Sequence, residues 1–484
     1  RAVAAKGRIG TAEALMVGRD PAFGPLCLSK LPANPLLAIL AVGLGTTIVP
    51  LDSSVNIAFP DITRSFGIPL DAIQWVVICY VLTYSSLMLV CGKLGDLFGH
   101  RRIFRIGLAL SIVAFALCGS AGEFGWLLFF RFCQGVGAAL VISCSPALAT
   151  ACYPEEQRAK ALGLYTALFG IGSVIGPSLG GIMVEAWGWP AVFWFRAPIS
   201  LLALAATWLI PSPPQAGARK PFDVLGAVLL ALALSTLLLA INQAQSPHAT
   251  ALIVAVLAVL SILGFAGFVY QEIRFAEPII RLGVFRDIEF SILNLANLVA
   301  NLVGFGVLLL VPYYLIRMAE FPTWLSGIVL GCAPLGVALA GPPGGWAIGR
   351  IGARRVALAG AILLTGGLFA VSQWQEDSVI PVLAASLLLH GLGLGLFHTA
   401  YMHIVTGTLS REDRGVAGSL GMMTRSAGVV TGAAVLAGLF ASIAPAAGFL
   451  PAFQSVFHYA GLGFAVFVTS TLLRPGLWFR SAER

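Results

Sequence analysis

Gly92-Lys93-Leu94-Gly95-Asp96-Leu97-Phe98-Gly99-His100-Arg101-Arg102 leaves one apolar run and enters the next, and Gly345-Trp346-Ala347-Ile348-Gly349-Arg350-Ile351-Gly352-Ala353-Arg354-Arg355 repeats its glycine and Arg-Arg spacing far along the chain. In each copy glycines permit a tight turn and a pair of cations follows. Eight apolar segments separate the copies. The pattern therefore reads as two parallel six-span halves with two further helices between them, an arrangement known among transporters. A glycine turn followed by arginines also makes a good charged stop for a single span, and that reading stands beside the repeat.

The segments on either side bound the class. The chain has 484 residues, 58% hydrophobic and 10% charged, with a mean hydropathy of +0.92, whereas soluble domains carry about 25% charged residues. A window of about 19 residues finds apolar segments from 35–59 to 453–473, about fourteen in all. Each approaches the ~20 residues that one bilayer crossing needs, and none shows the alternating stretches of a barrel strand. The fold class is an all-α polytopic membrane protein.

Charge placement sets the expected topology, because Lys and Arg in short loops collect on the cytoplasmic side. Lys93, Arg101, Arg102, Arg105, Arg158, Lys160, Arg219, Lys220, Arg274, Arg281, Arg286, Arg350, Arg354, Arg355, Arg411 and Arg414 all fall in even-to-odd connections and both tails are basic too, while the opposite loops offer little beyond Arg64 and Arg317. Both termini are expected to be cytoplasmic. The formal net charge of +8 is then a topology signal, and no nucleic-acid partner is expected, since that needs a folded basic patch. The eight cysteines show no CxxC spacing, so neither a disulfide framework nor a zinc site is indicated. Walker, HExxH and GxSxG patterns with their partners are absent from the sequence, and no enzyme activity, ATP drive or cofactor is expected.

Four stretches of the first half carry chemistry. Leu51-Asp52-Ser53-Ser54-Val55-Asn56-Ile57-Ala58-Phe59-Pro60 ends the first span, and Asp52 lies about seven residues, or ~10 Å, inside its outer end. A carboxyl there can bind and release a proton as access alternates. It can equally sit at the outer interface or pair with an arginine. Pro50 frees a carbonyl and can bend the helix around it. Leu127-x-x-x-Arg131-x-x-Gln134-Gly135-x-Gly137-Ala138-Ala139 puts a cation within the fourth span, which is costly and usually functional, with Gln134 on the same face; snorkelling to a headgroup is the other reading. Gly172-x-x-x-Gly176-Pro177-x-x-Gly180-Gly181 offers small residues for close helix contact and a proline for bending. In Gly92–Arg102, Asp96 stands among Arg101 and Arg102, a cluster able to latch one conformation.

With these four motifs the chain resembles the major facilitator superfamily, specifically its fourteen-helix drug/proton antiporter branch, over about residues 35–473. Ser54 stands where that branch more usually has Thr, and the second copy of the loop has Gly349 in place of Asp96. The resemblance implies a major facilitator fold: two six-helix bundles at 35–210 and 289–473, a linker and two inserted helices at 211–288 outside the rocking mechanism, and cytoplasmic tails at 1–34 and 474–484. It implies proton coupling through Asp52 and Arg131, a conformational latch of Gly92, Asp96, Gly99, Arg101 and Arg102, and an exporter motif of Gly172, Gly176, Pro177, Gly180 and Gly181. The proton would be the coupling ion. The natural home of the branch is the inner bacterial membrane.

Candidate cavity residues are Asn56, Trp75, Tyr80 and Gln134 in the first half and Asn294, Asn297, Asn301, His398, Tyr401 and Arg425 in the second. The three asparagines share a helix face, either as a polar lining or as helix-to-helix glue. His390, His398 and Tyr401 share a broad face suited to proton relay or simply to packing. Arg425 is either a partner for anionic groups or a cytoplasmic snorkeler. Aromatic rings suit flat cationic or amphiphilic compounds. The expected function is proton-coupled efflux of small amphiphilic or drug-like molecules by a monomer or weak oligomer. A dedicated exporter of one metabolite, lipid-like or anionic molecule is the alternative, and a non-transporting membrane sensor the second.

Overall fold

The computed structural model describes residues 35–70, 72–151, 158–210, 223–244, 250–275, 286–408, 414–474 and 476–479; the tail expected at 1–34 lies outside them. Every regular element among the described residues is a helix. In chain order these are α1 (Pro35–Ile57), α2 (Gln74–Phe98), α3 (His100–Gly119), α4 (Phe124–Ala151), α5 (Arg158–Trp187), α6 (Ala191–Leu209), α7 (Val224–Ala244), α8 (Ala251–Arg274), α9 (Ile288–Arg317), α10 (Thr323–Ile351), α11 (Ala353–Ser372), α12 (Ile380–Thr408), α13 (Arg414–Ala447) and α14 (Phe449–Thr471). Twelve helices among the described residues are long and apolar enough to cross a membrane, while α2 and α7 contribute the shorter apolar stretches Gln74–Met88 and Val224–Leu237. Helices satisfy their own backbone groups, which hydrocarbon cannot.

Packing divides the helices into two groups. In the first, α4 lies against α2 and α3, and α1 against α4, α5 and α6; in the second, α12 lies against α10 and α11, and α9 against α13 and α14. The groups are joined chiefly by α5 with α10 and α2 with α13, and also by the end of α1 with α9 and α10. The apolar window of α9 is 72% buried and that of α8 only 11%, so α9 is central and α8 faces lipid. The inserted hairpin does not stand apart from the seam as expected: α7 packs on both α2 and α13, with Leu234 beside Leu82, Ser85, Ser86, Ser426, Ala427 and Val430. Asp223 ties this hairpin together, accepting from Gly226 N at 2.8 Å and from Gln271 Nε2 at 2.9 Å.

The sequence repeat has a structural counterpart. Gly99 and Gly352 end α2 and α10 with φ of 92° and 89°, a left-handed region that favours glycine. Beyond the first, Arg101 donates to the carbonyls of Thr207 (3.0 Å) and Trp208 (3.3 Å) at the end of α6, and the Arg105 guanidinium lies 4.1 Å over the Trp208 ring. Beyond the second, Arg354 pairs with Glu289 at 2.6 Å and donates to the carbonyls of Gly476 and Leu477, just past α14. In both halves an arginine just after the glycine turn thus holds backbone carbonyls of its own bundle, those at the end of α6 in the first half and those opening the short helix Gly476–Phe479 beyond α14 in the second. Within the segment expected as the C-terminal cytoplasmic tail, Leu477 and Trp478 are buried. Arg101 is engaged by α6, Arg102 is exposed, and the side chain of Asp96 lies outside the described residues. Arg354→Ala is expected to lower the melting temperature of the detergent-purified protein by a few degrees and Arg102→Ala to leave it unchanged; equal stability of the two variants would refute the tie.

Candidate functional site: a buried ion cluster beside the outer seam

The first helix breaks where Pro50 cannot donate. Residues Pro50–Ser53 form a 3-10 turn inside α1, and Ser53 Oγ turns back to the Pro50 carbonyl at 2.8 Å. Three motif glycines of α5 let it press against this turn: a Cβ on Gly172 would stand 2.7 Å from Thr47, on Gly176 2.1 Å from Ser53 Oγ, and on Gly180 2.7 Å from Ser54. Held this way, Asp52 projects into the first bundle.

There it meets two arginines. Arg131 of α4 makes a two-pronged contact, Nη1 to Oδ1 at 2.6 Å and Nη2 to Oδ2 at 2.8 Å, and is itself anchored by Nε donating to the Val76 carbonyl at 2.8 Å. Arg196 of α6 donates Nη1 to Oδ1 at 2.6 Å and Nε to the Val192 carbonyl at 2.8 Å. Gln134 joins both, accepting from Arg131 at 2.8 Å and donating to Asp52 at 2.9 Å. The arginines are 1% and 0% exposed and the Asp52 side chain 14%. Aromatic faces complete the shell, Tyr80 at 4.4 Å from Arg131 and Phe115 at 4.6 Å from Arg196. Two buried cations share one carboxylate, so the cluster carries one net positive charge, and Nη2 of Arg196 has no hydrogen-bond partner among the described residues.

The pairing of Asp52 with an arginine, left open by the sequence, is what the structure holds. Arg196 was missed. Its signal was available, since it lies in the apolar segment 191–210 as Arg131 lies in its own. Tyr80 and Gln134 belong to the ion cluster and are buried rather than lining an open cavity; Asn56 is buried a turn beyond Asp52, and Trp75 is half-buried.

The remaining motif positions form the seam between the halves. A Cβ on Gly181 would stand 2.5 Å from the Thr323 carbonyl of α10, and one on Gly327 2.4 Å from the Pro177 carbonyl of α5. Glu185 accepts from Thr323 N at 2.8 Å, and Thr63 bonds the Tyr313 hydroxyl. All these contacts lie at the end of the bundle opposite Arg101 and Arg354, so the side expected to face outward is the closed one.

In the second half the asparagine stripe is interhelical glue and not a cavity lining. Asn294 accepts from the Tyr401 hydroxyl (2.8 Å), Asn297 donates to Thr424 (2.8 Å) and Asn301 to His398 (3.1 Å), and all three asparagines are buried. These amides spend their hydrogen bonds joining α9 to α12 and α13, because an unpaired amide in this interior is costly. His390 is buried with neither ring nitrogen hydrogen-bonded among the described residues. Arg425 is half-buried near His398.

Two helix bundles packed about a seam, with a charge cluster held inside the membrane, define a transporter architecture. The family model of the Major Facilitator Superfamily matches residues 36–333 and 293–480, and the chain belongs to this family, as a member of its drug/proton antiporter branch. It is 32% identical over 409 residues to the multidrug resistance protein Stp of Mycobacterium tuberculosis, covering 84% of this chain and 76% of that one. The tetracenomycin C resistance and export protein of Streptomyces glaucescens is 32% identical over 418 residues (86% and 77%), and the riboflavin transporter RibZ of Clostridioides difficile 28% over 411 (84% and 88%). Among solved structures, the nucleoside transporter NupG superposes with a TM-score of 0.65 at 11% identity, covering 91% of this chain and 99% of that one, a likeness of fold.

Proposed function

We propose that the chain is a secondary active transporter that expels small amphiphilic, drug-like compounds across the cytoplasmic membrane of a bacterium in exchange for protons, with transport and not catalysis as its activity. The observation that carries this reading is Asp52, the one acid placed well inside the described spans, caught between Arg131 and Arg196 beside the closed outer seam. Relatives named for multidrug resistance and tetracenomycin C export support the outward direction. The relative named as a riboflavin transporter supports the second reading, a dedicated exporter of one metabolite.

The mechanism follows from charge. In the present conformation the carboxylate is spent on two guanidinium groups, which suits a proton-free stage with the outer seam closed. A proton arriving from outside on Asp52 removes the charge that holds both arginines, and the cluster loosens. Proton binding and cargo binding therefore favour different arrangements of one site, and an inward proton gradient drives cargo outward. The test is uptake by everted membrane vesicles of three probes sharing one apolar body: pyrenebutyrate, its methyl ester and pyrenebutyltrimethylammonium. Accumulation of at least one, abolished by a protonophore and independent of ATP once the gradient is imposed, is expected. Uptake insensitive to the gradient would refute proton coupling.

A further inference from the structure

The thirteenth helix brings a cation that Asp52 does not balance. Arg131 and Arg196 share Asp52, but Arg425 makes no hydrogen bond or ion pair among the described residues. It lies eleven residues into α13, roughly 16 Å from the start of that helix, and its direction is set by its neighbours. Gly421, Gly428 and Gly432 fall on the same helix face, and this is the face packed on α9: Asn297 donates to the Gly421 carbonyl at 3.2 Å, and a Cβ on Gly428 or Gly432 would meet the Leu298 or Leu302 carbonyl at 2.3 or 2.4 Å. Arg425 therefore points into the second bundle and away from lipid, yet it is not fully buried. His398 of α12 is within its electrostatic reach. The Asn301 amide donates both to the Asn297 carbonyl (2.7 Å) and to His398 Nε2 (3.1 Å); an amide nitrogen only donates, so Nε2 accepts and the ring keeps Nδ1–H as a free-standing donor type beside a guanidinium.

An uncompensated guanidinium at membrane depth needs an anion. Asp52 cannot supply it, being already shared by two arginines. The other acids of the described helices, Asp61 in the short helix Phe59–Phe66, Asp96, Glu185, Glu272 and Glu289, lie within two turns of helix ends. For the same reason a cationic cargo finds no unspent carboxylate at this depth among the described residues. We propose that Arg425, with His398 beside it, is the receptor for an anionic group, a carboxylate or an equivalent oxyanion, on the transported amphiphile. This rests on the transport reading above and narrows its substrate class to acidic or zwitterionic compounds.

The experiment uses the full chain purified in detergent and reconstituted in phosphatidylcholine vesicles. Binding of the three pyrene probes is read by fluorescence anisotropy and their transport by uptake, for the native chain, Arg425→Gln and Arg425→Lys. Pyrenebutyrate is expected to bind more tightly than the ester or the ammonium probe, at least about tenfold more weakly in Arg425→Gln, with partial recovery in Arg425→Lys and an unchanged ester affinity. Equal binding of pyrenebutyrate by native and Arg425→Gln chains overturns the anion site while leaving proton-coupled transport standing. So does preference for the ammonium probe. Arg425-dependent binding without gradient-driven uptake keeps the anion site and overturns the transport reading. Displacement of pyrenebutyrate by small amounts of phosphatidylglycerol, with no uptake of the probe, assigns the site to a lipid headgroup and overturns the cargo assignment. Failure of all three probes to bind overturns the proposal.

Discussion

Asp52→Asn is expected to abolish gradient-driven accumulation of cargo while sparing gradient-independent exchange of labelled for unlabelled cargo. The substitution keeps the shape of the side chain and removes its charge, so Arg131 and Arg196, 1% and 0% exposed, are left facing each other with no counter-ion. Stranding a buried charge in this way costs about 3–5 kcal/mol. If only part of that is felt in the coupled step, accumulation falls by about two orders of magnitude. Asp52→Glu, which retains a titratable group one methylene further out, separates loss of coupling from loss of fold: it should keep measurable coupling at a reduced rate. Native-level accumulation by a well-folded Asp52→Asn chain would remove Asp52 from the proton cycle. Arg196→Gln is the milder partner experiment, since the two-pronged Asp52–Arg131 pair survives it as a neutral unit.

The second large effect is mechanical. Gly327→Val is expected to prevent closure of the outer seam, because the new side chain would begin 2.4 Å from the Pro177 carbonyl and 3.0 Å from the Gly181 Cα. Both obstacles are backbone and cannot rotate away, so α5 and α10 must separate. Overpacking of this kind costs about 1–3 kcal/mol, which shifts a two-state balance by about 5- to 150-fold. The readout is labelling of a cysteine placed at Thr63, whose hydroxyl meets Tyr313 across the closed end, by a membrane-impermeant maleimide applied from outside. Labelling above the background of the native cysteines should rise strongly in the Gly327→Val chain, and cargo uptake should fall with it. Unchanged labelling and uptake would mean that the seam is not a gate.

Much of this was legible in the sequence, and the misses have physical causes. Hydropathy and Lys/Arg placement find the helices because the bilayer imposes length and charge rules on every span. The glycine and Arg-Arg repeat locates two equivalent turns, at Gly99 and Gly352, because a left-handed helix end admits little else. The partners of those arginines were not legible: which carbonyls Arg101 and Arg354 hold depends on how the bundle folds back, not on local spacing. Arg131 and Asp52 could each be singled out as charges within spans, but their pairing spans 79 residues of chain and is a tertiary fact. Arg196 was overlooked for a simpler reason, its place near the start of an apolar segment, where a cation passes for a boundary residue. The asparagine stripe shows the limit of face arguments: Asn294, Asn297 and Asn301 do share a face, yet periodicity cannot say whether a polar face looks at a cavity or at a neighbouring helix.

The central claim, that proton traffic passes through Asp52, is tested most directly by following protons and not cargo. Proteoliposomes with an acidic interior and a pH-sensitive dye outside, holding chains oriented as in everted vesicles, are challenged with whichever pyrene probe the native chain carries. The account predicts cargo-triggered proton release from the native chain and none from Asp52→Asn at equal protein content. Undiminished proton release from a folded Asp52→Asn chain would contradict it.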